Sequence, residues 1–231
     1  MKALLYKEFK LAMHPICYVF IAMFPLMILI PSYPIAVGFI YVLTCYPVLF
    51  LGANKGQQSN DLLYSTLLPI RKKDIVKARI MTVFIMHLAF IAITSALYPA
   101  AVAINNSITE SAIAEDPMAN PITNAGLGLN SYVLILAIVL VGFALADLIF
   151  FPIYYKNGKS IVMSTLLMIL GFVVYLGVFT IGLPYIPGCE WINNLPLYIQ
   201  FIALAVSLII YASLHLLVYK ISSKRLERVD F

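Results

Sequence analysis

Six times along this 231-residue chain the sequence runs through fifteen to twenty-five consecutive residues that are almost all apolar. An α-helix rises about 1.5 Å per residue, so runs of this length reach most or all of the way across roughly 30 Å of bilayer hydrocarbon. That recurrence leaves few folds open. The chain is 63% hydrophobic and only 11% charged, with a mean hydropathy of +0.98. A soluble domain of this length needs far more charge to cover its surface. The reading is an all-α polytopic membrane protein forming a single transmembrane domain over residues 1–231.

The expected spans are Ile16–Ile30, Ile35–Ala53, Ile80–Ile104, Tyr132–Ile153, Ile161–Leu183 and Leu197–Tyr219. Pro25 and Pro47 fall inside the first two, where proline is tolerated because neighbouring groups satisfy the freed carbonyl. Pro31-Ser32-Tyr33-Pro34 makes a tight turn, so these two spans form a hairpin. Asn105–Ser131 reads as a long acidic loop, and Pro184–Pro196 as a shorter one with Tyr185 and Trp191 at the interface.

Charge sets the orientation. All 15 Lys and Arg lie before the first span, between the second and third, between the fourth and fifth, or after the sixth. The alternate segments carry Glu110, Glu115, Asp116 and Glu190 instead. Cationic loops stay in the cytosol, so both termini, including the tail 220–231, are expected there. The start of the chain has lysines and no cleavage site, and reads as mature. The 3 cysteines form no Cys-x-x-Cys or Cys/His cluster, and no metal site is expected.

Three features bear on mechanism. Met1–His14 is amphipathic, with Lys7, Lys10 and His14 on one helical face and Leu5, Phe9, Ala12 and Met13 on the other, as suits a helix lying in the interface. In the largest cationic loop, Asn54–Arg79, Ser59-Asn60-Asp61 offers N-cap oxygens to a short helix bearing Leu62, Leu63, Leu67 and Leu68, which Pro69 ends. Held at both ends by membrane helices, that segment is either a lever for a partner or a membrane-surface anchor. Finally, Asp147 is the only acid within a span, and His87 and His215 also lie within spans. His87 and Asp147 are each about eight residues, roughly 12 Å, from the cytosolic side. They can pair and join the third and fourth spans, or serve as a proton path or substrate contact. His215 reads as lying near the inner interface and reaching headgroups.

The stretch Leu67-Leu68-Pro69-Ile70-Arg71-Lys72-Lys73-Asp74-Ile75-Val76-Lys77-Ala78-Arg79 resembles the basic segment between the second and third spans of small bacterial ABC-2-type permeases. Lys7-Glu8-Phe9 resembles that family's opening, and the six-span order matches over essentially the whole chain. Within the family the chain looks most like the permeases that export phenol-soluble modulin peptides. Arg71 departs from the pattern: it stands where the family often has Ser or Thr, so the expected N-cap hydroxyl is missing.

The resemblance implies a multi-pass subunit of the bacterial cytoplasmic membrane that exports amphipathic or hydrophobic peptides. It implies pairing with itself or a related permease, and two copies of a separate ABC ATPase. Met1–His14 would be the elbow helix, with Lys7, Phe9 and Lys10. Residues 57–68 would be the coupling helix, with Asp61, Leu62, Leu63, Tyr64, Leu67, Leu68 and Arg71 serving the ATPase. By the same resemblance the second and fifth spans line the substrate path. No cofactor is expected on this chain; ATP and Mg belong to the partner, and no Gly-x4-Gly-Lys-Ser/Thr is present. Membrane lipid is an expected partner and nucleic acid is not. Intramembrane proteolysis is disfavoured because a second membrane aspartate, a Glu-Glu-x3-Arg motif and a His-Glu-x2-His motif are all missing. A secondary carrier and an immunity exporter for antimicrobial peptides stand as alternatives.

Overall fold

A computed structural model describes residues 2–12, 16–29, 41, 70–115, 131–157, 161–182, 186, 192 and 195–228. Among these residues every regular element is helical. The expected second span and residues 57–68 lie outside the described residues, Tyr41 excepted.

Helix α1 covers Lys2–Lys7 and continues as a π-helical turn over Glu8–Ala12. Helix α2 covers Ile16–Met23, then tightens to a 3-10 helix over Phe24–Leu29. The change falls at Pro25, which has no N–H to continue the α-helical ladder. Helix α3 runs over Lys72–Glu115, α4 over Tyr132–Asn157, and α6 over Leu197–Glu227. Helix α5 covers Ile161–Leu176 and ends in a π-helical stretch, Gly177–Gly182. Four of these helices, α3 to α6, are long and apolar enough to cross a membrane.

The helices overrun the apolar runs that announce them. α3 begins eight residues before the expected span and extends through Asn105–Glu115, where a loop was expected. α6 continues past Tyr219 to Glu227. Hydropathy marks where the bilayer ends, but backbone hydrogen bonding does not stop at the first charge. α3 also carries Pro99 within it, and the Tyr132 hydroxyl donates to the Thr94 carbonyl one turn earlier.

α4 is the centre of the bundle. It packs most extensively on α6 and next on α5, while α3 packs on α6 and on the 3-10 half of α2. The α4–α5 seam is close because Gly142 faces the rings of Phe172 and Tyr175. A Cβ there would come within 2.8 Å of Phe172. Phe143, Phe150, Phe151 and Tyr155 of α4 are fully buried.

The outer surface has the opposite character from a soluble protein's. Val162, Leu166, Leu170, Val174 and Val178 stand outward at four-residue spacing along α5. On α6 the outward residues include Phe201, Ile202, Ile209 and Leu216, whereas the buried stripe is Gln200, Ser207, Tyr211, His215, Val218, Ser222, Ser223 and Leu226. On α6 most of the polar groups face inward and the outward face is largely aliphatic and aromatic. Hydrocarbon favours that arrangement, because the polar side chains find hydrogen-bond partners only inside the bundle.

Candidate functional site

Two polar clusters stitch these helices together. The first lies at the basic end of the bundle, where α3 starts and α4 and α6 finish. Glu8 of the π-helical turn is buried, and the Arg79 guanidinium donates to it through Nε at 2.9 Å and Nη2 at 3.4 Å. Arg79 Nη1 also donates to the Tyr154 hydroxyl at 3.3 Å. One guanidinium thus joins α1, α3 and α4, using the planar fork that suits Arg to bidentate pairing. The Tyr18 hydroxyl donates to the Phe9 carbonyl at 2.6 Å and folds the N-terminal helix back against α2.

Around this clasp the cations of α3 and α6 converge. Arg225 of α6 donates to the Pro152 carbonyl of α4 at 2.6 Å. Lys73 of α3 meets Glu227 of α6 at 3.1 Å, both well exposed. Leu217, Lys220, Ile221, Lys224, Arg225 and Arg228 line a recess of about 400 Å³. Arg71, without a capping hydroxyl, starts α3 by another means. Its carbonyl accepts from the Asp74 N–H at 2.8 Å and its side chain pairs with the Asp74 carboxylate at 3.0 Å. The acid in the first turn complements the helix dipole.

Of the expected elbow residues, Phe9 packs against the core, Lys7 is half-buried, and exposed Lys10 donates to the Tyr6 hydroxyl at 2.6 Å. Asp61, Leu62, Leu63, Tyr64, Leu67 and Leu68 lie outside the described residues.

The second cluster is deeper. Asp147 of α4 and His87 of α3 are fully buried, with His87 Nδ1 3.6 Å from Asp147 Oδ2. The third member was not expected. His215 of α6 is buried rather than at a headgroup surface, and its Nε2 lies 2.9 Å from the same Oδ2. The expectation placed the end of the sixth span at Tyr219 and so put His215 one turn from water. α6 runs two further turns, and its polar stripe turns His215 inward.

Hydrogen bonding defines the His215 tautomer. Nδ1 lies 2.9 Å from the Tyr211 carbonyl, which only accepts, so Nδ1 carries a proton and Nε2 faces the carboxylate. His87 Nδ1 is also within 3.1 Å of the Tyr211 hydroxyl. Aromatic rings enclose the group. Phe143 stacks on His87 with centroids 4.5 Å apart, Tyr41 meets His87 edge-on, and Phe84 meets His215 edge-on.

Sequence reasoning also missed the Glu8–Arg79 pair. Its only signal was a lone glutamate in an otherwise cationic N-terminal segment.

Among the described residues the chain is an all-helical bundle with four helices long and apolar enough to cross a membrane, an aliphatic exterior and two buried polar clusters. The family of ABC-2 transporter proteins matches residues 3–223, nearly the whole chain. The chain belongs to that family, and is a permease subunit of an ABC transporter. Membership implies an ABC ATPase as partner, with the permease itself not the catalytic subunit. No characterised protein and no solved structure shows a significant match to it.

Proposed function

We propose that this chain is the membrane half of an ATP-driven exporter of amphipathic or hydrophobic peptides in a bacterial cytoplasmic membrane. Two copies pair, each crossing the bilayer six times with both termini in the cytosol, and each docks one ATPase. Residues 57–68 are the coupling helix and the N-terminal helix is the elbow.

The observation that most supports this reading is the Glu8–Arg79–Tyr154 clasp. The segment proposed to bind the ATPase leads directly into α3, and Arg79 lies two turns inside that helix. A displacement at the ATPase would therefore reach α3 directly. The clasp would carry it to the N-terminal helix and to α4, the centre of the bundle. The basic recess beside α6 suits the anionic headgroups of the inner leaflet.

Co-expression with the ABC ATPase encoded nearest to its gene, followed by native mass spectrometry, tests the proposal. A complex of two permeases and two ATPases is expected. It should be lost when Leu63 and Leu67 are changed to Asp, while the permease still purifies. A wild-type chain that holds no ATPase would sink the docking scheme. Peptide transport is tested separately, by ATP-dependent accumulation of a labelled amphipathic helix in inverted vesicles.

A further inference from the structure

Three side chains from three helices converge in the second cluster, and their donor atoms are those of a metal site. His87, Asp147 and His215 each offer one ligand atom, and all three atoms lie within 4.8 Å of one another. The two edges to Asp147 are 2.9 Å and 3.6 Å, and the edge between the two histidines is no longer than 4.8 Å. A tetrahedral zinc ion with ligands at about 2.0–2.1 Å has ligand–ligand edges of roughly 3.3 Å, so small side-chain adjustments would close the triangle around it.

We propose that His87, Asp147 and His215 form a binding site for one divalent transition-metal ion of the zinc class. Three features beyond proximity support it. The His215 Nδ1–H bond to the Tyr211 carbonyl is the outer-shell contact that fixes a ligating imidazole and aims its other nitrogen at a metal. Two imidazoles and one carboxylate suit Zn²⁺, or a neighbouring ion such as Fe²⁺, better than the all-oxygen sites of Ca²⁺ and Mg²⁺. The Phe143, Tyr41 and Phe84 rings hold the imidazole planes and surround the donors with apolar walls. The Tyr211 hydroxyl stands beside His87 as a further oxygen donor.

The competing account is a proton held between Asp147 and His215. A nitrogen lone pair and a carboxylate oxygen repel at 2.9 Å, so some cation must lie between them. Proton and metal would occupy the same position, and the test separates them. The proposal is independent of what the transporter carries.

The full-length permease, purified in detergent and stripped with a chelator, would be titrated with Zn²⁺ and separately with Co²⁺. Wild type should take up about one ion per chain, and Co²⁺ should give the visible absorption of a four-coordinate site. Asp147→Asn and His215→Gln should each weaken binding about ten- to a hundredfold or more. His14→Gln, at the one remaining histidine, should leave it unchanged. A wild-type protein with no stoichiometric Zn²⁺ and no Co²⁺ band overturns the proposal in favour of the proton. Zn²⁺ uptake unaffected by the Asp147 and His215 variants overturns it equally. If either variant fails to fold, the wild-type Co²⁺ spectrum still decides.

Discussion

The two polar clusters do similar mechanical work with different chemistry. Each is buried and each joins three helices. At the basic end the cation is Arg79, which keeps its charge in any protein environment. It is matched by one carboxylate, Glu8, in a two-point contact. Deeper in the bundle Asp147 faces two imidazoles, groups that exist in neutral and charged forms. A guanidinium cannot shed its charge, so Arg79 is buried only together with a matching carboxylate. A carboxylate far from water needs partners that adjust to it. The difference teaches that this bundle grades its polar chemistry by depth, permanent charge at the rim and negotiable charge at the centre.

Removing one partner from each cluster sharpens that contrast. Arg79→Ala leaves Glu8 buried opposite nothing, and should destabilise the protein by about 3–5 kcal/mol. Adding Glu8→Gln should recover most of the loss, as measured by denaturant titration in mixed micelles. No recovery in the double variant would mean that Arg79 acts through packing and not through its charge. Asp147→Asn, in chelator-treated protein, should destabilise by a smaller amount, about 1–3 kcal/mol, because an amide fills the same space and offers the imidazoles a polar partner without a charge. An effect equal to that of Arg79→Ala would erase the distinction between the clusters. Lys73→Ala or Glu227→Ala should shift stability by no more than about 0.5 kcal/mol, since that pair is half in solvent.

Much of the helical layout was legible because hydrophobic length is a local property. The expected runs beginning at Ile16, Tyr132, Ile161 and Leu197 coincide with helix starts. The clusters were harder to read. Glu8 and Arg79 are 71 positions apart, and His87 and Tyr211 are 124 apart. In helices apolar around their whole circumference no periodicity says which face turns inward. α6 is instructive here. Gln200, Ser207, His215 and Ser222 recur along one side of the helix, and that stripe marks the buried face once polarity inside a membrane is taken to point inward, although Ser213 stands outward. Read this way, His215 would have been assigned to the interior and the third member of the cluster found. Asp147 could be flagged from sequence as a lone acid in an apolar run, but its second partner could not.

The length of α3 has a consequence of its own. Its 44 residues make a rod about 66 Å long, more than twice the thickness of the hydrocarbon it is built to cross. A rod of that kind conveys motion by translation and tilt, with no change in its own secondary structure. What is pushed at Lys72 is felt at Glu115 at once, except where Pro99 lets the upper third bend. The helix is therefore a transmission shaft with one soft joint. If the proposed coupling holds, the two sides of the membrane would share a single moving part, and the joint would set how much of a stroke on one side is delivered as a swing on the other.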